Sequence, residues 1–452
     1  MKKNGYMRLM VSVAVPIAVQ SLLGFIVNLL DTLMLGQLGE VPLSASSLAN
    51  QVFFVVTMVV NGIGSGAGVL ISQYWGRKDM TSIRKILTYT YVTAFAFAAA
   101  AALAAVFLPG PVMRMFTKDE AVIEVGVSYL RIVGWSYLFF TMTAATTCVL
   151  RAVHTVRIAM VLSAVALCVN GGINYILIFG KFGAPQMGVE GAAVGTLCAR
   201  AAECILLVMY LVKCEKKLGI IGHFQRLIRG EEEKSPSLTG QYFRTSIPVI
   251  VNELFWALGE SVVSMVLGRM GTEVVSANAI YANISQLSGV VVTGVVSAAC
   301  VIVGNVIGAG DFKSLRMLKK QFQGVSVVVG IFAGVVMLAC MFVVPNLYNV
   351  SEATRDYARQ IMLFGSAVEL CRAMQTMNMM GILRGAGDVN FAMLNDLLFL
   401  WLFTIPLGMM AGLVWKWPVP AVYIVLKLDQ FLKIITSEAR MHGNRWRSYL
   451  VH

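Results

Sequence analysis

Residues 41–76 read VPLSASSLANQVFFVVTMVVNGIGSGAGVLISQYWG and contain no Asp, Glu, Lys or Arg. About 20 apolar residues are enough for a helix to cross a bilayer, so this stretch can span a membrane. Five other charge-free stretches have the same character, at 9–30, 86–113, 158–180, 274–310 and 321–351. Their length and number predict a polytopic membrane protein.

The composition supports this interpretation. Of the 452 residues, 58% are hydrophobic and 13% are charged, whereas soluble domains have about 45–50% apolar and about 25% charged residues. The 8 cysteines are scattered without a CxxC pair. They are typical of small buried apolar side chains and not of a disulfide scaffold or a metal site.

Hydropathy predicts twelve spanning helices. Their approximate bounds are 9–33, 46–75, 87–109, 127–150, 158–180, 190–212, 243–267, 277–307, 322–345, 357–383, 389–413 and 417–438. When the basic residues are sorted by alternating loops, 25 lie on one side and 7 on the other. The positive-inside rule places the richer side, with both termini, in the cytoplasm of a cell-membrane protein. The net charge of +13 is therefore a topology signal and does not indicate nucleic-acid binding.

The two halves of the chain repeat with an offset of 232 residues. Pro16 corresponds to Pro248, and Gly76, Asp79 and Ser82 correspond to Gly308, Asp311 and Ser314. Each half has an even number of spans, so the repeats are parallel and related by a pseudo-two-fold axis along the membrane normal. The predicted fold is all-α, with an N-terminal six-helix lobe at 1–212, a cytoplasmic linker at 213–242 and a C-terminal six-helix lobe at 243–452.

One acidic residue stands out in the first half because charges inside the hydrocarbon are costly and tend to be functional. Asp31 follows 22 uncharged residues at 9–30 on the outer half of the first span. It can face the interior of the lobe, where it would take a proton or ligate Na⁺ through its oxygens. The alternative is an interfacial acid that caps the helix end.

The sequence resembles the multidrug and toxic compound extrusion family of secondary transporters over nearly its whole length. The resemblance rests on four stretches: NLLDTLMLGQLG at 28–39, ISQYWGRKD at 71–79, CVNGGINYILIFG with GAPQMGVEGAAVGT within 168–196, and LRGAGDV at 383–389. It implies two six-helix lobes around a V-shaped central cavity. It also implies export of organic, often cationic compounds in exchange for H⁺ or Na⁺.

The resemblance assigns the family's coupling cluster to five positions: Asp31, Asn170, Asn174, Ala192 and Thr196. Some family members carry an acid where this chain has Asn174. One carboxylate fewer weakens a Na⁺ site, so a proton is favoured slightly over Na⁺. The polar residues can alternatively serve as hydrogen-bonding contacts between helices.

Four acids in the second half form a further candidate site for substrate or a second cation: Glu253, Glu260, Glu369 and Asp396. The resemblance matches Glu253 to an acid that other relatives use for cation coupling, whereas the local motif around Glu369 departs from the family's pattern in helix ten. The alternative is structural ion pairing. The i,i+3 spacing predicts pairs between Glu369 and Arg372 and between Arg200 and Glu203, and Lys427 is expected to pair with the nearby Asp429.

Two prolines lie mid-span in equivalent helices of the repeat. Pro16 and Pro248 each remove one backbone hydrogen bond and can kink a helix. In the family the first-helix proline is thought to bend during transport, and a static kink is the alternative. The GIGSGAG stretch at 62–68 imitates a nucleotide-binding loop, but its place in an apolar span favours close helix packing.

The favoured function is a monomeric antiporter for amphipathic organic cations that contacts membrane lipid, uses no cofactor beyond H⁺ or Na⁺ and binds no nucleic acid. The alternative is a flippase for lipid-linked precursors on a related two-lobe fold, which would require cationic residues to hold pyrophosphate. An enzyme is not expected because no nucleophile–base pair, metal motif or GxxxxGK[ST] loop is present.

Overall fold

The protein is built from long α-helices. The computed structural model describes residues 3–214, 218–220, 222, 236–348, 350–443 and 446, and no β-strand occurs in these ranges. The helices are α1 (Lys3–Gly36), α2 (Glu40–Arg77), α3 (Met80–Phe107), α4 (Pro109–Arg114), α5 (Glu120–Val133), α6 (Ser136–Ala152), α7 (Arg157–Phe179), α8 (Val189–Lys213), α9 (Pro236–Met270), α10 (Thr272–Gly308), α11 (Phe312–Leu347), α12 (Glu352–Thr376), α13 (Val389–Leu397), α14 (Val419–Val425) and α15 (Leu428–His442). π-Helical turns extend α12 at Met377–Leu383 and α13 at Leu398–Thr404 and Met410–Val414.

The helices account for the twelve predicted spans. Within the described ranges, nine helices are long and apolar enough to cross a bilayer, and the pair α5 and α6, bent by 52°, adds a tenth. The two remaining spans, at 357–383 and 417–438, correspond to α12 with its π-helical extension and to α14 with α15. These two are less apolar because they carry charged side chains that pair inside the protein. The all-α, twelve-span prediction is confirmed.

The described chain forms two compact units that exchange helix ends. Unit 1 comprises the described parts of Met1–Ala18, Ser72–Lys78 and Ile247–His452, and unit 2 those of Val19–Ile71 and Asp79–Ser246. The start of α1 and the end of α2 thus belong with the C-terminal half of the chain. The start of α9 belongs with the N-terminal half.

The lobes that the repeat predicts have different bounds from these units. The boundaries 1–212 and 243–452 follow the order of the chain and stay a prediction. The predicted linker, 213–242, lies largely outside the described residues.

Within each unit, glycines allow a helix end from one half of the chain to pack closely against a helix from the other half. In unit 1, a Cβ atom at Gly294 of α10 would lie 2.6 Å from the carbonyl oxygen of Ala14 in α1. In unit 2, a Cβ atom at Gly66 of α2 would lie 2.6 Å from Cα of Ser246 in α9. Ala14 and Ser246 are equivalent in the 232-residue repeat. Gly66 belongs to the GIGSGAG stretch, so the structure agrees with the helix-packing interpretation of that stretch.

The repeat also reappears in the helix caps. Asp79 caps α3 by accepting from Ser82 N at 3.1 Å and Ser82 Oγ at 2.6 Å. Asp311 caps α11 by accepting from Ser314 N at 3.1 Å and Ser314 Oγ at 2.5 Å. The equal geometry at equivalent positions supports the alignment of the two halves.

Candidate functional site

Four of the predicted coupling residues form one chain of hydrogen bonds in unit 2. Asp31 lies in the last turns of α1 and is partly buried. Its Oδ1 accepts from Nδ2 of Asn174 at 2.6 Å. Asn174 Nδ2 also donates to Asn170 Oδ1 at 3.3 Å, and Asn170 Nδ2 donates to Thr196 Oγ1 at 3.4 Å. The fifth residue, Ala192, is buried one turn before Thr196.

Close packing of α7 against α8 creates this arrangement. Asn170 and Asn174 are four residues apart on α7 and therefore lie on one face. A Cβ atom at Gly195 of α8 would lie 2.0 Å from Asn174 Oδ1, and one at Gly191 would lie 2.8 Å from the Leu177 carbonyl carbon. Glycine at both positions lets the amide-bearing face of α7 approach the α8 backbone.

Two residues that the sequence did not single out complete the cluster. Tyr129 of α5 is 3% exposed, and its hydroxyl donates to Asn50 Oδ1 of α2 at 3.4 Å. Further polar neighbours of Tyr129 are Thr196, Tyr137 and the Asp31 carboxylate. A tyrosine and an asparagine within apolar helices give no sequence signal of which way they face, so only the packing identifies them.

An ion pair lies one turn beyond the cluster on α8. Arg200 and Glu203 approach to 2.8 Å, which agrees with the predicted i,i+3 pair. The guanidinium also lies over the rings of Phe53 and Phe140, with 5.8 Å and 5.2 Å to the ring centroids. These contacts hold Arg200 away from direct pairing with Asp31.

Asp31 thus differs from the other membrane-embedded acids. No described Lys, Arg or His side chain lies within 4.0 Å of its carboxylate. The described residues include no group of three or more His, Cys, Asp and Glu side chains that could hold a metal ion. A cation at Asp31 would therefore depend on amide, hydroxyl or carbonyl oxygens as its other ligands.

The acids of the second half are each paired with a base in unit 1. Glu253 lies 2.8 Å from Arg384, and Glu260 lies 3.1 Å from Lys427. The prediction that Lys427 pairs with Asp429 is wrong, because Lys427 reaches across to α9.

Asp429 instead shares a lysine with another candidate acid. Lys433 lies 2.7 Å from Asp429 and 2.9 Å from Asp396, and 3% of its side chain is exposed. One ammonium group therefore neutralises part of the charge of two carboxylates, one on α13 and one on α15.

Glu369 is fully buried and has several partners. It pairs with Arg372, as the spacing predicts, and accepts from Ser285 Oγ at 2.6 Å and from the Tyr281 hydroxyl at 3.2 Å. The four candidate acids of this half are therefore divided among separate ion pairs and do not converge on one site.

Comparisons with a family profile and with related proteins indicate the same family. The MatE family profile matches residues 16–176 and 248–410. A probable multidrug resistance protein NorM of Agrobacterium fabrum is 26% identical over 398 residues, which cover 86% of this chain and 82% of that protein. A similar protein of Rhizobium meliloti with the same description is 23% identical, over 87% of this chain and 83% of that one.

Solved structures share the fold. An outward-facing multidrug resistance MATE family transporter of the MOP superfamily superimposes with a TM-score of 0.87 at 16% identity, covering 99% of each chain. The Vibrio cholerae MATE transporter VcmN in its bent form gives a TM-score of 0.85 at 17% identity, covering 98% of this chain and 99% of that one. The likeness to these two structures is one of fold.

Proposed function

This chain belongs to the MatE family of multidrug transporters, and we propose that it is a secondary antiporter that exports cationic amphipathic compounds in exchange for H⁺ or Na⁺ by alternating access. It is a multi-pass membrane protein. We place it in the cytoplasmic membrane with both termini in the cytoplasm, acting as a monomer. The relatives named as probable multidrug resistance proteins support xenobiotic organic compounds as the substrate class.

The observation that carries the proposal is the unpaired carboxylate of Asp31. A group that exchanges a cation during each cycle must be charged in one state without a permanent counter-ion. Asp31 is held by the neutral amide of Asn174 at 2.6 Å, whereas Glu253, Glu260, Glu369 and Asp396 each have a permanent base. Because the candidate acids of the second half are paired with bases and Asp31 is not, we propose Asp31 as the residue that couples the cation to transport.

The orientation of the amides favours H⁺ over Na⁺ as the coupling ion. Asn174 turns its N–H groups toward Asp31 and Asn170, while its Oδ1 faces Gly195. A hard cation requires several oxygen ligands. The Asn174 N–H donor stabilises the charge of the carboxylate without a metal. A proton can bind a carboxylate oxygen without needing any further oxygen ligand, whereas Na⁺ would need several.

The prolines are suited to a hinge. Pro16 lies inside α1, two residues before the chain passes from unit 1 to unit 2 after Ala18. Pro248 lies inside α9, two residues beyond the equivalent passage at Ser246. A proline leaves one helix hydrogen bond unmade, so bending at these points would cost less than elsewhere in the two helices.

The flippase alternative requires cationic residues that are available to a pyrophosphate. In the described second half, Arg372, Arg384 and Lys427 are each engaged by a carboxylate. Their charges are therefore offset, and the antiporter remains the better proposal.

The test is gradient-driven dye efflux in vesicles, with a proton or a sodium gradient imposed separately. Asp31→Asn keeps the shape and hydrogen-bonding atoms of the side chain but removes the titrating group, so efflux under either gradient should be abolished while dye binding remains. Asp356→Asn, at an exposed acid of α12, is the matched control and should transport normally. Normal efflux by Asp31→Asn would refute coupling at this residue and direct attention to Glu253 and Glu260.

A further inference from the structure

Two aromatic rings in unit 2 form a site for a positive charge. Phe53 of α2 and Phe140 of α6 meet edge to face, with 4.9 Å between their ring centroids. The guanidinium carbon of Arg200 in α8 lies 5.8 Å from the first centroid and 5.2 Å from the second. A cation within about 6 Å of a ring centroid is attracted by the negative face of the ring. We call Phe53, Phe140 and the adjoining carboxylate of Glu203 the ring site.

The ring site is held in place by its surroundings. Tyr137 is 0% exposed and stacks against Phe53 with 5.7 Å between the centroids, which fixes the first ring. Glu203 is 4% exposed, and its carboxylate lies 2.8 Å from the Arg200 guanidinium. Ring faces together with a carboxylate suit organic cations. The guanidinium of this chain therefore occupies a site that would also suit the cationic group of another molecule.

Arg200 lies off the face of α8 that suits lipid. At about 100° per residue, the exposed apolar side chains Ile205, Val208 and Val212 lie about 80–140° around α8 from Arg200. Even so, 22% of the Arg200 side chain is exposed. An entering molecule can therefore reach the guanidinium from a side other than this apolar face.

The ring site lies beside the proposed coupling cluster. Arg200 follows Thr196 by four residues on α8, which is one helical turn. Its charge acts on the Asp31 carboxylate. A compound bound at the ring site would therefore lie close to the residue that we propose for cation coupling.

We propose that Arg200 is a tethered competitor of the transported compound: the cationic group of the compound displaces the Arg200 guanidinium from the ring site on loading, and the guanidinium returns on release. This inference rests on the proposed transport function and names the contact for the positive charge of the substrate. A group tethered beside its site has a high and constant local concentration. The return of Arg200 also restores the partner of the buried Glu203 carboxylate.

The competitor has two consequences for transport. It weakens the apparent affinity for the compound, because only the fraction of the protein with an unoccupied ring site can bind it. It also promotes release, which limits the rate of many catalytic cycles. The ring faces favour delocalised organic cations over compact, strongly hydrated ammonium groups.

A split between KM and the maximal rate of efflux tests this role. Arg200→Gln removes the competitor, so ethidium should bind about ten-fold more tightly, equivalent to about 1.4 kcal/mol. Ethidium efflux should then show a lower KM and a lower maximal rate, whereas a purely structural role would lower the rate without tightening binding. The charge-matched control is Arg114→Gln, which removes an arginine that pairs with Glu120 and has 65% of its side chain exposed. Ethidium binding by Arg200→Gln no tighter than by Arg114→Gln would overturn the proposal.

A double-mutant cycle separates the ring site from a general effect of charge. The gain in ethidium affinity on Arg200→Gln is measured with and without Phe140→Leu, which removes one ring face. Most of the gain should be lost in the Phe140→Leu background, because the site that Arg200 vacates is then incomplete. The loss of a positive charge acts over a distance and would give the same gain in both backgrounds. A gain that survives Phe140→Leu would therefore overturn the ring site.

Arg200→Lys keeps the test valid if the glutamine variant does not fold. Lysine retains a positive charge beside Glu203, but its compact, hydrated ammonium stacks on rings less well than a guanidinium. Ethidium should bind this variant at least about two-fold more tightly than the wild type, because the competitor is weaker. An unchanged affinity would overturn the proposal.

Failure of the ring site and failure of the proposed function give different results. If Asp31→Asn transports normally while Arg200→Gln binds ethidium more tightly through Phe140, coupling at Asp31 is refuted and the ring site stands. If Asp31→Asn is inactive and Arg200→Gln binds ethidium as the wild type does, the ring site is refuted and the coupling site stands.

Discussion

Removing Arg384 should destabilise the protein more than removing any exposed arginine. Its guanidinium lies 2.8 Å from the Glu253 carboxylate, and 7% and 14% of the two side chains are exposed. Arg384→Met would leave a carboxylate without its counter-ion in a largely buried site. Breaking a buried pair in this way costs about 3–5 kcal/mol. Unfolding entropy of about 2.1 cal/mol/K per residue converts this cost to a fall of about 3–5 °C for a chain of 452 residues.

The assay is thermal unfolding in detergent, followed by tryptophan fluorescence. Arg359→Met is the control, since Arg359 pairs with Asp356 at 3.3 Å with 42% and 57% of the side chains exposed. An exposed pair contributes about 0–1 kcal/mol. The double variant Arg384→Met with Glu253→Gln removes both charges and should recover most of the lost stability.

The refuting result is a melting temperature for Arg384→Met no lower than that of Arg359→Met, or a double variant as unstable as Arg384→Met alone. Either outcome would mean that Glu253 does not need Arg384 as a counter-ion. It would then be a free carboxylate and a credible second coupling site. If the expected result is obtained, the folded double variant should retain gradient-driven efflux.

Two further predictions concern α1 and the cap of α11. Pro16→Ala should restore a helix hydrogen bond, leave the protein folded and slow dye efflux in vesicles, and an unchanged rate would reduce Pro16 to a static packing residue. Hydrogen bonds from the Ser314 hydroxyl and backbone N–H lower the pKa of Asp311 in the folded protein. The ionised carboxylate therefore stabilises the fold fully above its unfolded pKa of about 4, and this contribution is lost as pH falls from there through the lower folded pKa. Asp311→Ala should therefore lower thermal stability at pH 7 by at most about 1 kcal/mol, and this difference should shrink in acid.

The amino-acid sequence was sufficient for the membrane class, the twelve spans and the internal repeat. The membrane class and the spans depend on a local property of the sequence. A long charge-free stretch such as 41–76 is more stable in an apolar environment than in water, whichever helices it packs against. The repeat can be recognised in the sequence because equivalent helix starts need the same capping residues, as Asp79 of α3 and Asp311 of α11 illustrate. The cluster around Asp31 was also predictable, but only through the family resemblance.

Tertiary structure decided which charges are paired. The chain separates Glu253 from Arg384 by 131 residues and Glu260 from Lys427 by 167 residues. Local spacing could therefore predict Arg200 with Glu203, but it assigned Lys427 to the wrong acid. Tyr129 and Asn50 were missed for the same reason, since the direction that a polar side chain faces in an apolar helix is set by the helices packed around it.

The division into units also depends on the three-dimensional structure. A repeat in sequence predicts two lobes in chain order, whereas the described units exchange the ends of α1, α2 and α9. Glycines make this exchange possible by allowing backbones to touch at Gly66, Gly294 and Gly308. The sequence shows that a glycine is present. Which backbone atom of another helix a side chain at that position would meet is set only when the distant helices pack together.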